Sequence, residues 1–244
     1  MKQLGLVSIS FRTESVETIL KAAKEAGLSC IEWGSDVHAP CTDPERLQQI
    51  ADLQTRYGIS CCSYGTYFRL GVTALEELPA YIQAAKTLDT NILRLWAGKK
   101  SPWDFTEEEK ETLFADSRAA ACLAEKAGVK LCLECHMKTY TETAESALEL
   151  LQAVNSPAFQ MYWQPNQNRT LEENVENATR LKDYVNHIHV FQWEGKARYP
   201  LQEGIAQWKT YLQQLTGDHA LLLEFMPDDS LASLSAEANA LRCL

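Results

Sequence analysis

The sequence has no long apolar run and no block of basic residues. No stretch reaches the roughly 18 apolar residues that a membrane-spanning helix needs. The segment Met1–Gly5 lacks the apolar core and the cleavage site of a signal peptide. The 23 Lys+Arg are outnumbered by 33 Asp+Glu, and the resulting net charge of −10 opposes binding to a phosphate backbone. These absences predict a cytoplasmic protein that binds neither membranes nor nucleic acid.

The cysteine content excludes a further class of protein. Eight cysteines in 244 residues are too few for a disulfide scaffold. The closest spacings are Cys61-Cys62 and Cys132/Cys135, and the second pair lies inside a predicted strand. We therefore expect reduced, mostly buried thiols. No linker or low-complexity segment interrupts the chain, which predicts a single domain over residues 1–244.

Short β-type runs alternate with longer segments of helical periodicity. Eight such units in 244 residues fit an α/β fold, a single (β/α)8 TIM barrel, which typically needs about 250 residues. A doubly wound sheet is the alternative, but no glycine-rich phosphate loop follows the first strand. The predicted strands are Gly5–Ser10, Cys30–Asp36, Ile59–Gly65, Asn91–Gly98, Lys130–His136, Phe159–Pro165, Val185–Trp193 and Ala220–Met226. The predicted helices are 14–26, 43–57, 73–88, 106–127, 141–154, 170–182, 203–215 and 229–242.

Helix boundaries carry their own signals. Glycines that follow a helical pattern suit the left-handed residue of a C-terminal cap, and Asp or Thr suits an N-terminal cap. The predicted C-terminal glycines are Gly27, Gly58 and Gly128, and the predicted N-terminal residues are Thr13, Asp43, Thr106 and Thr141.

Side chains alternate along a strand, so one set faces the helices and the other faces the barrel axis. The predicted helix-facing residues are Val7, Ile9, Ile31, Trp33, Ile59, Cys61, Leu93, Leu95, Leu131, Leu133, Met161, Trp163, Ile188, Val190, Leu221, Leu223 and Phe225. The predicted inward residues are Ser8, Ser10, Glu32, Cys62, Tyr64, Arg94, Trp96, Glu134, His136, Tyr162, Gln164, His187, His189 and Glu224. Almost every ionisable strand residue falls in the inward set.

Four inward residues suggest a metal site. Glu134, Gln164, His189 and Glu224 stand near the C-terminal ends of four consecutive predicted strands, so their side chains can converge. Two carboxylates, an imidazole and an amide oxygen suit a divalent ion such as Mn²⁺, Mg²⁺, Co²⁺ or Zn²⁺.

The segments Leu131–His136, Asn186–Val190 and Leu222–Phe225 resemble the fifth, seventh and eighth strands of the sugar isomerase/epimerase superfamily. Its members share a xylose isomerase-like TIM barrel, and they include ketose 3-epimerases, hydroxypyruvate isomerase, inosose dehydratase and endonuclease IV. The resemblance implies that Glu134, His189 and Glu224 are metal ligands.

The sixth-strand ligand of ketose epimerases is usually Asp, and Gln164 stands at that place here. The amide removes one negative charge, which predicts weak, exchangeable metal binding. In those epimerases the two metal-bound glutamates also move protons, which implies that Glu134 and Glu224 are catalytic. One would remove a proton beside a carbonyl and the other would return it, through an enediolate.

The resemblance therefore implies a metal-dependent isomerase or epimerase of carbohydrate metabolism, acting on a sugar or sugar derivative. A dehydratase acting on an inosose or keto-sugar and a non-catalytic sugar-binding barrel remain alternatives. An endonuclease is disfavoured by the acidic charge. Dimers and tetramers are common among similar barrels, so a homo-oligomer stays open. The predicted substrate-binding residues are Glu32, His38, Tyr64, Arg94, Trp96, His136, Gln167 and Arg198.

Overall fold

A computed structural model describes residues 3–244. Eight parallel strands close into a barrel in the order β1-β10-β7-β6-β5-β4-β3-β2, which confirms the predicted (β/α)8 fold. A two-stranded antiparallel hairpin, β8 with β9, lies in the loop after β7. The barrel strands are β1 Leu4–Val7, β2 Cys30–Gly34, β3 Ser60–Leu70, β4 Ile92–Ala97, β5 Lys130–Glu134, β6 Phe159–Trp163, β7 Val185–Val190 and β10 Leu221–Leu223; the hairpin is β8 Trp193–Glu194 and β9 Ala197–Arg198.

Each predicted helical segment contains one α-helix. The helices are α1 Val16–Glu25, α2 Pro44–Tyr57, α3 Leu78–Thr87, α4 Glu107–Ala127, α5 Ala144–Val154, α6 Leu171–Leu181, α7 Ile205–Gln214 and α8 Leu234–Leu241. Short 3-10 turns also occur, at Ser8–Phe11, Leu75–Glu77, Pro102–Asp104, Tyr140–Glu142, Lys182–Tyr184, Leu201–Gly204 and Leu231–Ser233. Within residues 3–244, every helix is too short or too polar to cross a membrane.

The helix caps were predicted in part. Asp43 caps α2 and Thr106 caps α4, the latter in a reciprocal capping box with Glu109. Thr13 and Thr141 were wrong. The residues that accept the capping hydrogen bonds are Ser15 for α1 and Thr143 for α5, because each helix begins a few residues later than its apolar periodicity suggests.

The main core lies between the strands and the surrounding helices. Helix-facing leucine, isoleucine and tryptophan side chains of the strands are buried there. Trp163 of β6 illustrates the packing, because its ring meets Trp208 and Tyr211 of α7 edge-on at centroid distances of 6.1 and 5.2 Å. This layer holds the strand ends at fixed positions, which the site above them requires.

A second, smaller cluster fills the barrel interior, and its members are Val7, Cys30, Cys62, Cys132, Tyr162, Ala220 and Leu222. Val7 was predicted to face the helices, and the structure contradicts this. Strand β1 presents Leu6 to the main core, so its neighbour Val7 points inward. All eight cysteines are free thiols.

A β-bulge in β3 reverses the faces that alternation predicts. Ile31 of β2 pairs with Cys61, whereas the next residue, Glu32, pairs with Ser63. The extra residue turns both Cys62 and Ser63 inward and sends Tyr64 to the helix side. Tyr64 is fully buried in the main core, where its hydroxyl donates to the Ala39 carbonyl at 2.5 Å. The prediction that Tyr64 faces inward and binds substrate was therefore wrong.

We expect Tyr64→Phe to lower the free energy of unfolding by about 1 kcal/mol, because it leaves the buried Ala39 carbonyl without its donor. Urea denaturation measures this. Tyr57→Phe is the control, since the Tyr57 hydroxyl is exposed and donates to Glu17 at 3.0 Å, and we expect a smaller loss. A Tyr64→Phe variant of unchanged stability but altered ligand affinity would contradict the assignment.

Candidate metal centre and active site

Three buried side chains converge where the barrel strands end. Glu134 is the last residue of β5, His189 lies in β7, and Glu224 directly follows β10. One ligand atom from each lies within 4.8 Å of the others. Alternation along the strands turns these side chains toward the barrel interior, where the ring of Tyr162, a member of the smaller apolar cluster, packs against the His189 ring at 4.9 Å. Glu134, His189 and Glu224 form the floor of the site.

The His189 ring presents one nitrogen to this group. Its Nδ1 lies 3.7 Å from a Glu134 oxygen, 3.5 Å from a Glu224 oxygen and 2.9 Å from Oε1 of Gln164. Its Nε2 faces Glu32 at 3.6 Å and makes no hydrogen bond within the described residues. Nδ1 is therefore the nitrogen placed to bind a metal ion, and Gln164 adds a fourth donor beside it.

Arg94 anchors the carboxylates from β4. Its Nε donates to Glu32 at 3.2 Å and its Nη1 donates to Glu134 at 3.0 Å. Ser63, brought inward by the bulge, donates to the other Glu32 oxygen at 2.7 Å. All of these groups except Ser63 are charged, and all are almost completely buried.

The charges of this cluster perturb one another's pKa values. Burial opposes ionisation of Glu134, yet Arg94 and His189 lower its pKa to about 2. Burial likewise disfavours the imidazolium form of His189, but Glu224, Glu134 and Glu32 raise its pKa to about 10. Burial raises the pKa of Glu224. Without another cation, a proton on His189 therefore balances part of the negative charge.

The residues present fit a divalent cation. Glu32, Glu134 and Glu224 carry three negative charges, and Arg94 supplies one positive charge. With a neutral His189, two negative charges remain uncompensated in a buried space, and a divalent ion would neutralise both. Oxygen and imidazole donors suit Mn²⁺, Mg²⁺, Co²⁺ or Zn²⁺ and do not select among them.

A cavity of about 320 Å³ opens above the cluster, which is enough for a small ligand. Predicted site residues on its lining are Arg94, Trp96, Glu134, His136, Gln164, Gln167 and Glu224. Glu32 and His189 lie below, in contact with lining residues.

Four of the predicted substrate-binding residues lie outside the cavity lining: Glu32, Tyr64, His38 and Arg198. His38 is 1 % exposed, and its ring nitrogens contact the Ser8 hydroxyl and the Glu14 carbonyl. Arg198 forms an ion pair with Asp229 and packs over the Trp193 ring at 4.9 Å. His38 therefore anchors a loop. Arg198 packs against the rings of Trp193 and Phe225, and these two rings line the cavity in its place.

The cavity also contains residues that sequence reasoning missed. Phe225 was predicted to face the helices, but it lines the cavity with φ of 57°, in the left-handed region that non-glycine residues rarely adopt. Strand β10 ends at Leu223, so alternation no longer applies there, and Ser10 accepts the Phe225 N–H at 2.8 Å. Arg69 was missed because β3 continues five residues beyond its predicted end at Gly65. The alternation Tyr67-Phe68-Arg69-Leu70 was the available signal.

Comparison with known proteins identifies the family of this chain. Residues 20–242 match the family described as xylose isomerase-like TIM barrel. The chain belongs to this family. A curated relative, the 3-dehydroshikimate dehydratase of Bacillus anthracis, is 24 % identical to this xylose isomerase-like barrel over 279 residues, covering 97 % of this chain and 95 % of the relative.

Solved structures of other proteins share this fold over nearly the whole chain. The probable 3-DHS dehydratase involved in petrobactin synthesis from Bacillus anthracis superposes with a TM-score of 0.83 and 22 % identity, covering 99 % of both chains. The D-allulose 3-epimerase from Methylomonas sp., crystallised with D-allulose, gives a TM-score of 0.75 and 16 % identity, covering 99 % of this chain and 96 % of that one. A dehydratase and a sugar epimerase therefore share this barrel's fold.

We expect Gln164→Glu to tighten Mn²⁺ binding by about tenfold. Glutamate has nearly the same shape as glutamine and adds a negative charge at the fourth donor position. Titration calorimetry on the metal-stripped protein measures this. Gln167→Glu is the matched control, since it adds the same charge elsewhere on the cavity lining, and its effect should be smaller. Unchanged affinity in Gln164→Glu would contradict the assignment, as would wild-type protein that keeps stoichiometric metal through prolonged EDTA dialysis.

Proposed function

We propose that this barrel is a divalent-metal-dependent enzyme that removes a proton from a carbon beside a carbonyl group. The supporting observation is the convergence of Glu134, His189 and Glu224 at the floor of a cavity of about 320 Å³. A divalent cation bound there would polarise the substrate carbonyl and acidify the neighbouring C–H group. Gln164 would complete the donor set from the cavity wall.

The two glutamates are not equivalent. Arg94 holds Glu134 in an ion pair at 3.0 Å, which fixes this carboxylate as an anion. Glu224 forms no arginine ion pair within the described residues, and its contact at the floor is with His189 at 3.5 Å. Glu224 is therefore the carboxylate better placed to accept and return a proton, while Glu134 supplies fixed negative charge.

We propose dehydration as the outcome of this proton removal. Three arginines line the cavity, Arg69, Arg94 and Arg169. Arg94 and Arg169 already pair with protein carboxylates, and the positive charge that is left favours a substrate that carries a carboxylate. In such a hydroxy ketone, the C–H proton passes to the enzyme base. The bond to the hydroxyl one carbon further on then breaks, and the protonated base gives its proton to the departing hydroxyl, which leaves as water. Similarity over the whole chain to a protein named 3-dehydroshikimate dehydratase supports this choice.

Epimerisation is the second candidate. Glu134 and Glu224 reach the floor from strand ends that β6 and β7 separate around the barrel, so the two carboxylates approach a bound substrate from different sides. Proton removal by one and return by the other would invert the carbon between them. The likeness to the D-allulose 3-epimerase fold is compatible with this chemistry.

The Mn²⁺-loaded protein should convert 3-dehydroshikimate to 3,4-dihydroxybenzoate with loss of one water, followed by ultraviolet absorbance and chromatography. A panel of ketoses in D₂O tests the alternative, because deuterium at C3 indicates an epimerase and deuterium at C1 or C2 an isomerase. Deuterium at C3 of a ketose without any dehydration would replace our proposal with the second candidate, and deuterium only at C1 or C2 would replace both with isomerisation. No reaction with any of these compounds would contradict both.

Glu224→Gln should lower kcat by on the order of a hundredfold or more, because the amide cannot accept the proton. Glu237→Gln is the control. Its carboxylate is also buried, but it accepts the Leu201 N–H outside the cavity. We expect near wild-type turnover from this variant. Equal loss in both variants would indicate a general structural effect and would remove Glu224 from the mechanism.

A further inference from the structure

We propose that Arg69 binds a carboxylate of the substrate and thereby selects anionic over neutral substrates. This inference rests on the proposed function, and it names the one residue that would distinguish anionic from neutral substrates. It follows from the position of Arg69, from its missing counter-ion and from the way its guanidinium group is held.

Arg69 reaches the cavity because β3 continues past a second irregularity in its pairing, which lies between Gly65 and Arg69. Gly65 pairs with Arg94 of β4, and the ladder resumes with Arg69 opposite Trp96. Both Arg69 and Trp96 line the same cavity as the metal-binding cluster. A small substrate with a carbonyl at one end and a carboxylate at the other can therefore contact the cluster and Arg69 together.

Arg69 differs from the other cavity-lining arginines in its partners. Arg94 is committed to Glu32 and Glu134, and Arg169 lies 3.4 Å from Glu173. Within residues 3–244, no carboxylate oxygen lies within the 4.0 Å ion-pair limit of Arg69. A partly buried charge without a counter-ion is unfavourable, and a substrate carboxylate would supply the missing partner.

The guanidinium group is nevertheless fixed in place. Its central carbon lies 4.3 Å from the centroid of the Trp96 ring, and its Nη1 donates to the Gly98 carbonyl at 2.9 Å. The Tyr67 ring meets Trp96 edge-on at 5.1 Å and supports the stack. Arginine carries five N–H donors, and this one carbonyl contact leaves most of the fork for a bidentate carboxylate. A group held in advance in this way loses little conformational entropy on binding.

Binding of two probes to the Mn²⁺-loaded protein tests the inference without any turnover. The probes are 3,4-dihydroxybenzoate and catechol, which differ only in the carboxylate. Wild-type protein should bind the acid more tightly, and Arg69→Gln should reduce that preference by about tenfold or more. Arg69→Lys should restore part of it, because lysine keeps the charge but lacks the planar fork.

Arg169→Gln is the matched control, since it removes the same charge from the same cavity lining and should keep the preference. Thermal melts confirm that each variant is folded. If Arg69→Gln and Arg169→Gln lose the preference for the acid equally, the net charge of the cavity and not Arg69 itself sets the preference, and the inference is overturned. A wild-type protein that does not prefer the acid would also overturn it. If 3-dehydroshikimate is not dehydrated but Arg69→Gln still loses the preference, the proposed reaction fails and the role of Arg69 stands.

Discussion

The bridge from Arg94 to Glu32 and Glu134 is the interaction on which the rest of the site depends. It allows three carboxylates to lie together in the buried end of a barrel, because one guanidinium group serves two of them at 3.2 and 3.0 Å. The backbone makes room for the bridge. A Cβ at Gly65 would come within 2.5 Å of a Glu32 oxygen and 2.9 Å of an Arg94 nitrogen, so a larger residue there would displace the bridge. The two negative charges that remain unbalanced are the reason for expecting a divalent cation.

Much of this arrangement could be predicted from the sequence. The strand–helix alternation indicated the barrel, and the two-residue period along the strands placed Glu134, His189 and Glu224 on one inner surface. The failures have local physical causes. The β3 bulge reversed Tyr64, and the end of β10 at Leu223 released Phe225 from the strand pattern. The Arg94 bridge could not be predicted either, because distances between side chains from different strands follow from barrel closure and not from spacing along one strand.

The overall charge of −10 says little about the chemistry of this cavity. The floor concentrates carboxylates and the wall carries arginines, so a cation and an anionic substrate can be bound a short distance apart. In the proposed function, dehydration and epimerisation would share the step of proton removal beside a carbonyl, and the residues of the cavity wall would determine which substrate binds.

The location of a bound metal ion is the sharpest test of the proposed site. Anomalous diffraction from crystals soaked in Mn²⁺, recorded above the manganese absorption edge, would locate the ion independently of any activity. We expect one strong peak at coordinating distance, about 2.0–2.5 Å, from Glu134, Glu224 and the Nδ1 atom of His189, with Gln164 beside it. An ion bound elsewhere in the cavity, or no peak at this cluster under saturating Mn²⁺, would contradict the proposed site.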